Sequence, residues 1–188
     1  GLLISLAKDI HDENTAKNLK DLQSYDIPIV MFDRISNEFD CDKVYMDNFK
    51  ATFDSINHLC KRGKNKIAFL SPIHDTLIGK ERYNGYVEAL KSNKINYKSE
   101  LYIPYNKEDD IESEIIKLTS DNKIDAIICM EPENTVSTHS LILNLGYKIP
   151  NDIAVLGFTD GPMYKFIKPS ITSVNQHGEY LGKYSAKI

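Results

Sequence analysis

The chain has 188 residues, with 23 Lys and Arg against 27 Asp and Glu, a formal charge of −4 and 41% hydrophobic residues. That balance suits a globular protein of one good-sized domain or two small ones, and leaves no cationic excess for gripping nucleic-acid phosphates. The longest apolar runs are strand-sized, the N-terminus lacks a basic-then-apolar leader, and Cys41, Cys60 and Cys129 are widely spaced without a CxxC, so no membrane span, secretory leader or disulfide framework is expected, and a cytoplasmic location with small buried thiols is.

Strand-like and helix-like segments alternate from end to end without an internal repeat or low-complexity linker, which predicts parallel sheets with crossover helices. Leu2 to Leu6 reads as a strand, Asp12 caps a helix with Ala16, Leu19 and Leu22 on one face, and Pro28 introduces the strand Ile29 to Phe32. Val44 to Met46 is a short third strand. Asn48 is the expected N-cap of a helix whose stripe is Phe49, Phe53, Ile56 and Cys60, ended by Gly63 at a position that tolerates left-handed backbone.

A second unit opens with the strand Lys66 to Leu70 and its exit Ser71-Pro72, followed by a helix with Tyr83, Tyr86, Val87 and Leu90 at helical spacing. Leu101 to Ile103 is a strand stopped by Pro104. Asp109 to Leu118 carries Ile111, Ile115 and Leu118 on one side, Ala126 to Met130 is the next strand, and Asn134 to Leu145 is a helix closed by Gly146. Ile153 to Phe158 completes a four-strand set and opens into the polar loop Thr159-Asp160-Gly161, the kind of strand end at which α/β sheets place ligands. Ile171 to Asn175 reads as a strand leaving one sheet for another. Tyr180, Leu181, Tyr184 and Ile188 form a last helical stripe, expected to dock on the first unit. The expected division is residues 1–65, 66–170 and a returning strand and helix over 171–188. The first unit shows fewer strands than the second and begins abruptly in one. It is expected to be incomplete, with an open edge covered by a second copy or by further residues.

His11, His58, His74, His139 and His177 show no metal-ligand spacing, and no GxSxG elbow, GxxxxGK[ST] loop or GxGxxG turn occurs. No enzyme chemistry, metal or cofactor is expected.

Seven segments in order, GLLIS at Gly1, IPIVMFDR at Ile27, VYMDN at Val44, RGKNKIAFLSP at Arg62, RYNGYVEAL at Arg82, IPNDIAVLGFTD at Ile149 and PSITSVNQHGEYLG at Pro169, span essentially the whole chain. Together they resemble the effector-binding core of the LacI/GalR family of bacterial transcription regulators, which shares its fold with periplasmic sugar-binding proteins. The resemblance implies an α/β, periplasmic-binding-protein-like fold of two Rossmann-like subdomains with parallel sheets. It implies a small effector, a sugar, in the cleft between them, and a homodimer that touches operator DNA only through a helix-turn-helix domain absent from this sequence. The alternative of the same fold is a secreted solute-binding protein of a sugar transporter.

The resemblance also assigns candidate residues. Arg82 matches the effector-contacting Arg, a rigid fork of donors for effector oxygens, against the plainer role of a solvated helix residue. Gln176 matches the cleft Gln, able to donate and accept, or is a polar sheet-edge residue. Asp33, at a strand exit, matches a carboxylate near the cleft floor, or is a loop cap beside Arg34. Tyr105 matches a position that is often aromatic and stacks on a sugar face, or packs at the rim. The sequence departs from the family pattern at Glu131-Pro132, where an Asn-Asp pair is usual, and at Thr159, which moves the usual Asp to Asp160. Either Glu131 replaces the missing acceptor or the effector differs in kind; Ser5 is a further candidate. Asp33, Glu131 and Asp160 around a single Arg favour a neutral polyol over a phosphorylated effector, because burying like charges is costly.

Overall fold

A computed structural model describes residues 1–6, 13–25, 27–106, 109–159 and 161–188. The chain divides into two units, one of Gly1–Asp47, Thr76–Ile78 and His177–Ile188, the other of Asn48–Asp75 and Gly79–Gln176.

In the first unit β1 (Leu2–Ile4), β2 (Ile29–Phe32) and β3 (Asp42–Val44) pair in parallel, in that order, with Leu2 opposite Ile29 and Val30 opposite Asp42. Strand alternation sends Ile29 and Met31 into a core with Leu6, Ile35, Phe39 and Leu19 of α1 (Glu13–Gln23). Val30 packs on the other face with Val44 and with Leu181 of α6 (Gly178–Ser185). The last helix thus packs on the first sheet, through Leu181 of the expected stripe and through Ser185, whereas the other stripe residues turn outward: Tyr180 and Tyr184 stack on each other and are exposed, as is Ile188. The expected cap Asp12 lies outside the described residues. The third strand ends at Val44 instead of starting there, because Phe32 pairs with Val44 and the Asp33 N–H donates to the Val44 carbonyl at 3.0 Å.

The second unit is a five-stranded parallel sheet, β4 (Ile67–Ser71), β5 (Tyr102–Pro104), β6 (Ala126–Cys129), β7 (Ala154–Gly157) and β8 (Thr172–Ser173), in the order β5-β4-β6-β7-β8. The Ile171 to Asn175 segment therefore contributes a short fifth strand, paired with β7, to this sheet. Pro104 is tolerated inside β5 because that strand is an edge. The face carrying Ala68, Leu70, Ile127, Cys129 and Val155 packs on α4 (Ile111–Ser120) and α5 (Pro132–Asn144) through Ile115, Leu118 and Ile142. On the other face Phe69 meets Tyr86 of α3 (Leu77–Ser92), whose hydroxyl donates to the Ile67 carbonyl at 2.9 Å.

Local chemistry fixes the helix ends. Asp110 caps α4 by accepting from the Ser113 N–H at 3.0 Å, and Pro132 opens α5, where its missing N–H costs nothing. Gly63 and Gly146 close their helices at φ 83° and 87°, and the residue after each returns its N–H to a helix carbonyl, Lys64 to Leu59 at 3.1 Å and Tyr147 to Ile142 at 3.2 Å.

The helix α2 (Asn48–Lys61) differs from expectation in three ways. It belongs to the second unit, Asn48 is its first residue, and its buried face is Asn48, Thr52, Ser55, Ile56 and Leu59 while Phe49 is exposed. Thr52 and Ser55 are buried at little cost because their hydroxyls donate to the carbonyls of Asn48 and Ala51, at 3.0 and 2.7 Å.

Of the cysteines, Cys129 is fully buried and its thiol is pushed up to about 12, chiefly by that burial, whereas Cys41 and Cys60 are half-buried. His139, on α5, lies with Nε2 2.9 Å from the Pro169 carbonyl; a carbonyl only accepts, so that nitrogen carries the hydrogen. Burial holds the His139 pKa below its ordinary 6.5, with the Pro169 bond opposing. As pH falls the unfolded chain takes up this proton before the folded one, so the stability His139 contributes is present above pH 6.5 and is lost as pH drops through the folded pKa. Urea titrations from about pH 7.5 to about pH 5 are expected to show a falling midpoint that flattens in His139→Gln.

Candidate functional site

In the second sheet every strand runs the same way, so the residues that leave its carboxyl edge gather at one end. In spatial order these are Tyr105 after β5, Ser71 ending β4, Met130 and Glu131 after β6, Phe158 and Thr159 after β7, and Gln176 beyond β8.

Arg82, from α3, is only 4% exposed. Burying a guanidinium costs several kcal/mol unless its donors are met. Here Nε donates to Asn48 Oδ1 at 2.9 Å, Nη1 to the Met130 carbonyl at 2.8 Å, and Nη2 to Gln176 Oε1 at 3.3 Å. The Phe158 ring lies 3.8 Å from the guanidinium carbon, and Gln176 Nε2 donates in turn to the Phe158 carbonyl at 3.4 Å. One cation therefore organises the exits of β6, β7 and β8. It reaches them because α2 and α3 approach closely at Gly85, where a Cβ would overlap the Phe49 carbonyl and stand 3.1 Å from Thr52 Cβ.

Around this frame are hydroxyls with no partner among the described residues: Ser71 Oγ, Tyr105 Oη and Thr159 Oγ1, on side chains that are all nearly or wholly buried. Each such atom forfeits about 1–3 kcal/mol relative to a bonded one, and three of them lie at one sheet edge. His74 Nδ1, in the loop after β4, is in the same state. Desolvation raises the Tyr105 phenol pKa well above its ordinary value, with Cys129 and Glu131 adding to it, so it stays a neutral donor and acceptor. Its ring belongs to the core with Ile103, Ile115 and Cys129, so the hydroxyl rather than a stacking face is what it can offer.

Arg82, Gln176 and the Phe158-Thr159 exit are therefore brought together, and Tyr105 and Glu131 are electrostatic neighbours. Glu131 is half-buried in extended conformation before α5, and its carbonyl, not its carboxylate, bonds the helix through Thr135. Asp160 lies outside the described residues. Ser5 and Asp33 are exposed and belong to the first unit, each just past the carboxyl end of its strand. Asp33 holds φ 59°, a left-handed conformation that Asp accepts more readily than most residues. In the sequence Asn48, Phe158 and Ser71 read only as cap, strand and exit, since nothing in a single sequence ties them to Arg82. Among the described residues no group of three or more His, Cys, Asp or Glu could hold a metal ion, and no helix is long and apolar enough to cross a membrane.

The second unit is thus a parallel α/β sheet with unpartnered hydroxyls at its carboxyl edge, the position at which sheets of this kind place ligands. The model of the periplasmic binding protein-like domain matches residues 56–188, and the chain belongs to that family. Its relatives include the HTH-type transcriptional repressor PurR of Mannheimia succiniciproducens, 26% identical over 86% of this chain and 49% of the relative. Among solved structures, a LacI-family regulatory protein from Chloroflexus aggregans superposes with TM-score 0.85 at 22% identity, covering 98% of this chain and 66% of that one. A complex of the transcriptional regulator CelR with cellobiose gives 0.81 at 24% identity, covering 100% and 57%. The chain has the effector-binding-core fold of LacI/GalR regulators. It spans about half the length of the PurR relatives it matches, at 49%, and such relatives are transcriptional repressors rather than transport proteins.

Proposed function

We propose that this chain is the ligand-sensing part of a LacI-type transcriptional repressor, and that its effector is a neutral sugar or polyol held at the carboxyl edge of the second sheet. The observation that carries the proposal is the set of orphan hydroxyls on Ser71, Tyr105 and Thr159 beside the Arg82–Gln176 frame. Neutral donor-acceptor hydroxyls complement sugar hydroxyls, each able to give and take one bond. The cellobiose-bound relative of the same fold supports this ligand class. In the longer protein, a homodimer would carry helix-turn-helix domains to operator half-sites, and the effector would act by binding one arrangement of the protein more tightly than the other.

A thermal-shift screen with neutral mono- and disaccharides, cellobiose included, is the test. At least one is expected to raise the melting temperature by about 5 °C or more at saturation. Thr159→Val and Tyr105→Phe remove orphan hydroxyls, so without sugar they are expected to melt no earlier than the parent while losing most of the shift. Absence of any sugar response, or full shifts in both variants, overturns the proposal.

A further inference from the structure

Arg82, inside the second unit, bonds residues at two of the points where the chain enters or leaves that unit. The chain enters the second unit at Asn48, re-enters it at Gly79 after the short excursion Thr76–Ile78, and leaves it at Gln176. Arg82 bonds the side chains of the first and the last of these residues, and is itself three residues past the middle one, on the same helix. The exit is conformationally demanding, since His177, directly after Gln176, holds φ 54° without being glycine.

We propose that Arg82 is a positioning residue that mechanically couples the two outer passages, so that a change at one reaches the other through its guanidinium. The bond to Gln176 is the longest of the three, at 3.3 Å against 2.9 and 2.8 Å. It is therefore the one most readily exchanged for a bond to another acceptor. A ligand oxygen that takes Nη2 removes one of the bonds that hold Gln176 and so loosens the exit before α6, while Nε and Nη1 keep Arg82 fixed to Asn48 and Met130. The ligand step rests on the effector reading above. The coupling itself does not, and it can be measured with no ligand present.

The experiment is amide hydrogen exchange on the ligand-free protein. Asn48→Ala is expected to accelerate exchange about tenfold at residues 174–178, far away in sequence, and Gln176→Ala to do the same at residues 48–52. Protection in β6 (Ala126–Cys129) is expected to stay unchanged, which establishes that each variant is folded. Asn48→Asp keeps an acceptor for Nε and is expected to retain the parental protection at residues 174–178, and it serves if Asn48→Ala does not fold. The proposal is overturned if each substitution loosens only its own segment, or if Asn48→Asp loosens residues 174–178 as much as alanine does. Sugar binding with uncoupled passages would leave the effector reading intact, and coupled passages with no sugar response would leave the coupling intact.

Discussion

Replacing Arg82 by alanine is expected to lower the unfolding free energy by about 3 kcal/mol and to abolish any effector-induced thermal shift. The loss follows from what remains: Asn48 Oδ1, the Met130 carbonyl and Gln176 Oε1 each lose a charged donor, and the Phe158 ring loses the cation above it. Asn48 and Met130 are almost fully buried, so water cannot take over without opening the site. Arg82→Lys keeps the charge but not the planar fork. It is expected to retain part of the stability and little of the effector response, since the three N–H groups of an ammonium sit on one nitrogen and cannot span the positions that Nε, Nη1 and Nη2 occupy. Urea denaturation of the three proteins, with the sugar screen repeated on each, is the measurement. A loss below about 1 kcal/mol in the alanine variant would mean that the guanidinium is already hydrated in solution.

Gly85→Ala is expected to cost about 2–4 kcal/mol in the same assay, although it adds one methyl group. The added Cβ would meet the Phe49 carbonyl, a backbone atom that cannot rotate away, and Thr52 Cβ at 3.1 Å. Relief requires α2 and α3 to separate, and those helices carry the two ends of the Asn48–Arg82 bond. The variant should therefore lose effector response along with stability. Gly63→Ala offers a contrast, since a Cβ there meets nothing within 4 Å and only the φ of 83° resists it. Its cost is expected to be about 1 kcal/mol, with the effector response intact.

Apolar periodicity located the elements that bury a continuous face. The strands around Ile29, Ala68, Ile127 and Val155, and the helix carrying Ile115 and Leu118, lie where alternation and helical spacing put them. It misjudged α2 and α6, where aromatic residues face outward: Phe49 stacks on Phe53 and Tyr180 on Tyr184, at 6.1 and 5.9 Å. Ring pairs four residues apart look like a core stripe in a sequence. In α2 the inward positions are shared by Ile56 and Leu59 with polar side chains that satisfy themselves on their own helix or, like Asn48, meet a partner from another element.

The candidate site divides along the same line. The sequence by itself determined the alternation of strands and helices and the closing glycines at 63 and 146, because each depends on residue type and local spacing, and it carried the seven-segment family resemblance, which is what implied the candidacy of Arg82, Gln176, Tyr105 and Thr159. Only the tertiary structure decided that α2 joins the second unit, that the Tyr105 ring packs into the core, that the Ser71 and Tyr105 hydroxyls have no partner among the described residues, and that Arg82 holds Asn48 and Gln176 together. Those outcomes depend on which strand ends become neighbours and on how closely two helices approach. Residues 34 and 94 positions from Arg82 carry no mark of it in the sequence: the close approach of α2 to α3 brings Asn48 to it, and the sheet order β5-β4-β6-β7-β8 brings Gln176.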